Sequence, residues 1–329
     1  MIITRTPLRM SFFGGGTDFP EYSSEYGGLT ISTTIDKYIY LYLRSLPKYF
    51  EYQNELVYRI IERTSEDLNE IKHPLIREAM KYKRINNIHL VYDSDLPART
   101  GLGTSSCFAV GLLNAFNALK CKYVSKKMLA SEAIKVEREL CKEVGGLQDQ
   151  IASAFGGFNK IEFHGNSFDV NPLIISNERK LKLQRNILMF YTGTVRNSSD
   201  VQKSWDRKAN SIVDKLNKIK SIAEDAERIL INDHYSIDAF GELLDHSWNI
   251  KRQTSVKISN EVIDDIYYRA KKAGAIGGKL LGAGGGGFLI FYVREKNQNQ
   301  IRNELRDFVE VHFKFENSGS KVVYYDQET

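Results

Sequence analysis

The period of hydrophobic and polar positions changes repeatedly along this chain, and each change marks an element. Over residues 38–43 the order Tyr-Ile-Tyr-Leu-Tyr-Leu alternates strictly, the period of two of a half-buried strand. Residues 2–6, 29–36, 38–44 and 88–93 read as strands on their β-rich composition. Residues 74–84 and 107–120 repeat every three to four positions instead, the latter through Phe108, Leu112, Phe116 and Leu119, and read as helices. Another helix starts from an N-cap at Ser125 and runs to about Cys141. Residues 145–157 form a glycine-bounded turn around a short helix, followed by a return to strand.

The second half opens with a strand at 187–191 and a long polar-to-amphipathic helical stretch at 200–231. Helices follow at 237–251 and 260–273. Strands at 279–281 and 288–293 flank the run Gly282-Ala-Gly-Gly-Gly-Gly287, and a helix and strands close the chain. This order lacks the regular βαβ alternation of a doubly wound sheet and predicts an α+β fold. At 329 residues there is room for two cores, and the polar segment 176–182 sets the expected division at 1–180 and 181–329.

Composition narrows the function classes. Apolar and charged fractions of 42% and 26% are those of a globular chain, and no apolar run approaches membrane-spanning length. The opening Met1-Ile-Ile-Thr-Arg reads as a strand with no signal peptide, so a cytoplasmic protein without a membrane partner is expected. The net charge of +5 is spread along the chain, which suits anionic small molecules and argues against a nucleic-acid partner. Cys107, Cys121 and Cys141 are odd in number, lie in helical patterns and lack metal-ligand spacing, so buried reduced thiols are expected.

Three glycine-rich segments carry the candidate chemistry: Phe13-Gly-Gly-Gly-Thr-Asp18, Gly101-Leu-Gly-Thr-Ser-Ser106 and Gly282–Gly287. The second follows a turn-forming Pro97 and opens a helix. Its glycines permit close backbone approach and the helix offers free N–H groups, so it reads as a phosphate cradle. It is not the common P-loop, because no G-x-x-x-x-G-K-[ST] occurs. The third contains G-x-G-x-x-G at Gly282, Gly284 and Gly287 but precedes a strand, where a dinucleotide fingerprint precedes a helix. Each segment alone reads as a tight turn. Together they point to backbone converging on one phosphate-bearing ligand.

Two carboxylates stand out beside them. Glu137 falls on the apolar face formed by Ala130, Ala133, Ile134, Leu140 and Cys141. A buried carboxylate needs a cation, a metal or a strong donor; an edge position reaching solvent is the other reading. Asp149 opens the short helix in Gly145-Gly-Leu-Gln-Asp-Gln150, either as a helix-terminal cap or as a rigidly held group able to accept a hydroxyl proton.

Pro7-Leu-Arg-Met-Ser-Phe-Phe-Gly-Gly-Gly-Thr-Asp18, the 96–106 stretch and Lys279-Leu-Leu-Gly-Ala-Gly-Gly-Gly-Gly-Phe288 resemble, in order, the three signature motifs of the GHMP kinase superfamily. The resemblance implies an N-terminal domain like ribosomal protein S5 domain 2, a ferredoxin-like C-terminal domain, and ATP and Mg²⁺ as cofactors. It implies that the phosphates lie over Pro97, Gly101, Leu102, Gly103, Thr104, Ser105 and Ser106, closed by Gly282, Gly284, Gly285 and Gly286. Ser105 matches the hydroxyl near Mg²⁺, with Thr104 and Ser106 one position to either side. Glu137 matches the magnesium-binding Glu, Asp149 the catalytic base and Arg9 the cation near it.

Gly16, Thr17 and Asp18 would face the acceptor. Galactokinase-like enzymes place an Asp on sugar hydroxyls where Asp18 stands; an N-cap for residues 20–26 is the other reading. Gly14-Gly-Gly16 departs from the Gly-Glu-His of galactokinase. This variant, with Tyr191-Thr-Gly-Thr-Val-Arg196 and the Trp248–Arg252 segment, is similar to the bacterial heptose 7-phosphate kinases of that superfamily. They phosphorylate the anomeric hydroxyl of a sugar phosphate to a 1,7-bisphosphate, on the way to nucleotide-activated heptose for surface polysaccharide. A substrate that already carries phosphate needs a second anion site, for which Arg196 leads and Lys251 and Arg252 follow, each also readable as a solvated cation. Trp248 reads as core. A free-sugar kinase of fucokinase or galactokinase type, and a non-catalytic sugar and ATP sensor, are the competing readings.

Overall fold

In the computed structural model, which describes residues 1–194, 201 and 209–326, two long strands set the frame. Ile2–Phe13 runs antiparallel to Gly28–Ser45, an eighteen-residue strand that joins the two stretches expected separately at 29–36 and 38–44. Residues 28–35 are buried throughout, whereas 36–43 are buried mainly at every second position. The strand therefore leaves a core covered on both faces for one covered on a single face, and only the second part shows the alternating pattern.

Among the described residues nine strands form this sheet. Its path runs Lys321–Tyr325, Ile2–Phe13, Gly28–Ser45, Ile88–Ser94, Asn54–Val57, Ile61–Thr64. Phe315–Glu316 and Asn159–His164 also pair with the long second strand, and Ser167–Pro172 pairs with Asn159–His164. The hairpin at 54–64 has no counterpart in the sequence expectations. Its strands are four residues each and mix apolar with charged positions, too short for a period to emerge. Helices Thr104–Leu119 and Gln148–Phe155 pack on this sheet.

A second, four-stranded antiparallel sheet holds Val309–Glu310, Ile187–Tyr191, Phe288–Tyr292 and Gly277–Leu280. Helices Asp238–Lys251 and Glu261–Lys272 contact it, and Trp248, Phe190, Phe291, Ile263 and Ile266 fill its core. The division at 180/181 is not a single cut, because Phe315–Glu316 and Lys321–Tyr325 return to the first sheet. Among the described residues no helix is long and apolar enough to cross a membrane.

Two local expectations are corrected. The helix capped by Ser125 is α-helical over Lys126–Ile134 and then widens into a π turn, Lys135–Leu140. The wider turn breaks the 3.6-residue phase: Val136 and Glu137 are buried, while Leu140, assigned to the inner face by an unbroken α-helix, is exposed. Cys107 is buried as expected and Cys141 partly so, but Cys121 is exposed, because it sits in left-handed conformation on the turn that ends helix Thr104–Leu119.

Candidate active site

Gly101 and Gly282 bring two of the glycine segments into backbone contact. Both have positive φ, and a Cβ on Gly101 would lie 2.3 Å from Leu281 O, one on Gly282 2.5 Å from Gly101 Cα. Side chains cannot enter such a crossing. Phe288 N donates to Thr100 O at 3.2 Å, which ties the start of the following strand to the same loop. Gly285 N donates to Ile258 O, and Gly284 and Gly286 pack against Ile258 and Thr194. The Gly282–Gly287 run is thereby laid across the 97–103 turn, whose Pro97 O accepts from Thr100 Oγ1 and whose Leu102 is buried. Gly103, left-handed, then opens helix Thr104–Leu119, whose first N–H groups have no acceptor within the helix.

The strand Ile2–Phe13 delivers Arg9 under this loop. Arg9 Nε and Nη2 donate to the two carboxylate oxygens of Asp149 at 2.7 and 2.8 Å, and Nη1 donates to Gly101 O. Arg9 is buried and Asp149 keeps part of its side chain exposed, so the pair is anchored on one side and open on the other. A fork-on-fork pair fixes the plane of the carboxylate, which a lysine could not do.

Asp18 is fully buried nearby. Its two oxygens accept from Gly16 N at 3.0 Å and Gln148 N at 3.1 Å. Burial pushes its carboxyl above the usual aspartate value and the charge of Asp149 adds to that, while the two N–H donors pull the other way. Asp18 does not cap the helix Pro20–Tyr26, whose N-cap is Phe19. Thr17 is spent inside the turn: its single hydroxyl hydrogen lies between Gly14 O and Leu29 O, and its oxygen accepts from Leu29 N.

Glu137, on the π turn, is 1% exposed and reaches no cation among the described residues. Ser105 Oγ donates to its Oε1 at 3.1 Å and Gln150 Nε2 to its Oε2. Of the three hydroxyls at 104–106, Ser105 is the one placed beside it. The partner of the misplaced charge is thus a pair of neutral donors, which leaves its negative charge without a counter-ion among the described residues. Two hard oxygens side by side at the mouth of a phosphate cradle fit Mg²⁺, which commonly takes one or two carboxylates and completes its shell with phosphates and water. Among the described residues there is no cluster of three His, Cys, Asp or Glu that would hold a metal alone.

Known proteins are similar to this chain over most of its length. Residues 55–157 match the model of the GHMP kinase N-terminal domain and residues 233–311 that of the GHMP kinase C-terminal domain. A D-glycero-alpha-D-manno-heptose 7-phosphate kinase of Campylobacter jejuni is 30% identical over 323 residues, 93% of each chain. The chain belongs to the GHMP kinases. As a GHMP kinase it is an ATP-dependent phosphotransferase with an alcohol group as acceptor. Its backbone is also similar to a crystal structure described as a D-glycero-D-manno-heptose 1-phosphate kinase from Bacteriodes thetaiotaomicron (TM-score 0.82, 25% identity, 99% of this chain and 100% of that one). It shares its fold with Lactococcus lactis galactokinase crystallised with galactose (TM-score 0.72, 17% identity, 98% and 95% covered).

The second lobe of this kinase contributes cations that the sequence placed elsewhere or missed. Lys251, in the last turn of helix Asp238–Lys251, points inward, is 7% exposed and donates to Gly282 O at 2.7 Å. Arg252, one residue on, faces outward and pairs with Asp264 at 3.5 Å, away from the inward-turned Lys251. Arg196 lies outside the described residues. Lys279 is 4% exposed and donates across the lobes to Ser11 O and Phe12 O at 2.9 and 2.7 Å. Its burial, with Lys251 and Arg9 adding repulsion, pushes its ammonium well below the ordinary lysine value. A lysine inside the otherwise apolar strand Gly277–Leu280 is the same kind of misplaced charge as Glu137 and was readable on that ground. Gln148 and Gln150, which orient Asp18 and Glu137, carry no comparable signal.

Proposed function

We propose that this kinase transfers the γ-phosphoryl group of ATP to the anomeric hydroxyl of D-glycero-D-manno-heptose 7-phosphate, giving the 1,7-bisphosphate. One observation carries the reading: the partly open Asp149 carboxylate, held in plane by Arg9, stands beside a second, buried carboxylate, Asp18, under the phosphate loop. The first can face a reacting hydroxyl while the second accepts from neighbouring hydroxyls of the same sugar. Support for heptose comes from the two relatives whose names carry that sugar, at 30% and 25% identity and over nearly the full chain.

Phosphoryl transfer has a loose transition state, so positioning and charge neutralisation dominate. In this reading Pro97–Ser106 and the N-terminus of helix Thr104–Leu119 bind the phosphates, and Gly282–Gly286 covers them. Ser105 and Glu137 would hold Mg²⁺, which when bound offsets phosphate charge. Asp149 orients the acceptor hydroxyl and takes its proton late, as the new P–O bond forms. The phosphate that the sugar already bears requires a further cation, for which Arg196, outside the described residues, is the candidate the sequence offers. Nucleotide-activated heptose for surface polysaccharide would be the downstream use, in the cytoplasm.

Coupled ADP release on a panel of free and phosphorylated sugars tests the assignment. Turnover of heptose 7-phosphate at least tenfold above any phosphate-free sugar is expected. Preference for free fucose or galactose would replace it with the free-sugar reading, and ATP binding without turnover of any sugar would favour a sensor. Asp18→Asn is expected to raise the acceptor KM by about 10- to 100-fold, since a neutral amide replaces a charged acceptor of hydroxyl bonds. KM for ATP should hold within threefold, a split that steady-state kinetics reads directly. Because burial raises the Asp18 pKa, acceptor capture should fail on the acid side at a higher pH than an ordinary aspartate would give. The sign for stability is opposite. Asp18 favours the ligand-free fold when protonated, so its contribution is present below the unfolded value near 3.8 and is lost as pH rises through the raised folded value.

A further inference from the structure

Lys251 is a buried ammonium with more donors than partners. Its Nζ carries three N–H groups, and among the described residues Gly282 O is the acceptor it reaches. That carbonyl belongs to the glycine whose backbone touches Gly101, and Gly101 O is in turn held by Arg9 Nη1. Two cations, one from each lobe, therefore grip the two sides of the same loop crossing. The charged groups facing Lys251 are Arg9 on the first strand, Asp18 on the glycine turn, Asp149 on helix Gln148–Phe155 and Lys279 on strand Gly277–Leu280. Arg9 and Lys251 thus meet two carboxylates, with the Lys279 amine beside them, and one carboxylate is already engaged by Arg9 on both oxygens. A buried ammonium with donors to spare, set between a phosphate cradle and an acceptor-orienting carboxylate, is complementary to an anion that arrives there.

We infer that Lys251 is a catalytic residue supplied by the second lobe, whose ammonium contacts the oxygens of the phosphoryl group as it passes from nucleotide to acceptor. The inference rests on the phosphotransfer reading above. It moves Lys251 from the distal sugar phosphate, where the sequence placed it, to the reacting end. The acceptor oxygen forms its bond to phosphorus as the bond to the ADP oxygen breaks; the electron pair leaves on ADP and the hydroxyl proton goes to Asp149. Lys251 neither gains nor loses a proton and acts by its charge. Burial and the neighbouring Arg9 bring its ammonium down to about 8, Asp18 and Asp149 opposing, so that charge is present at neutral pH and lost above it.

The test uses the full chain with ATP, Mg²⁺ and whichever sugar the panel shows to be turned over. Lys251→Met is expected to lower kcat at least 100-fold, with KM for ATP and for the sugar each within threefold. Lys251→Arg should recover at least tenfold of that loss. Wild-type kcat should fall above pH 8, and the arginine variant should lose this alkaline limb. The inference is overturned if Lys251→Met keeps kcat within fivefold, or if its loss lies wholly in the sugar KM, which would return Lys251 to the distal phosphate. Should the methionine variant fail to fold, the arginine variant decides alone: retained activity with an unchanged alkaline limb overturns the inference. Absence of turnover in the wild type would instead defeat the phosphotransfer reading.

Discussion

Asp149→Asn should lower kcat by about 10³-fold while ATP affinity changes less than fivefold. The amide keeps the volume and one acceptor oxygen, so it can still accept from Arg9 Nε or Nη2, now at 2.7 and 2.8 Å, but not from both. It cannot take a proton from the acceptor hydroxyl. In the proposed reading the nucleotide binds to backbone N–H groups of the 97–106 loop and to the helix that follows, none of which Asp149 supports directly. Isothermal titration with ATP beside steady-state turnover separates the two effects. Turnover within tenfold of wild type would remove Asp149 from proton transfer and leave it as an anchor for Arg9.

Gly101→Ala should be strongly damaging, because the added methyl meets both a left-handed backbone and a carbonyl of the facing loop. A left-handed φ costs a non-glycine residue about 1–2 kcal/mol by itself. Gly193 measures that term alone, because it too has positive φ and no described atom lies within 4 Å of the Cβ it would gain. At Gly101 the same methyl meets Leu281 O at 2.3 Å, a backbone atom that cannot rotate away. Gly101→Ala should therefore cost about 2 kcal/mol more than Gly193→Ala in urea unfolding, and should lower kcat/KM for ATP at least 100-fold. The activity loss follows because the methyl prises the Gly282 loop from the phosphate loop. Equal stability losses for the two variants would mean that the crossing is looser in solution than its geometry requires.

Much of this site could be read before any coordinates, and the reasons are particular. Glu137 announced itself as a charge on an apolar stripe, and the glycine segments as backbone with no room for side chains. Their convergence needed the fold, since Gly101 and Gly282 are far apart in sequence. The π turn was hidden because one widened turn shifts the phase without altering composition; Leu140 pointed the wrong way for that reason. The orientation of Lys251 against Arg252 was equally hidden. The two residues are adjacent at a helix end, where a single residue of uncertainty exchanges inside for outside. Lys279 was visible by the rule that exposed Glu137, but its position inside a glycine motif drew attention to the glycines.

The return of the closing strands gives the second lobe an unusual standing in the chain. The path leaves the first sheet through helix Asn177–Arg185 and re-enters it at Phe315–Glu316, and these two points touch: Phe315 N donates to Gln184 Oε1 at 2.7 Å and Lys180 Nζ to Asn317 Oδ1 at 2.5 Å. The lobe that supplies Lys251 and the covering glycines is thus a cassette inserted between adjacent seams, not an appendage on one tether. Besides the seams, Phe240 packs edge-on against Phe12 and Phe13, so the cassette shares a core with the first sheet. A graft of this cassette between relatives would need both splice points cut in register, and a nick at one seam would leave the lobe attached by the other.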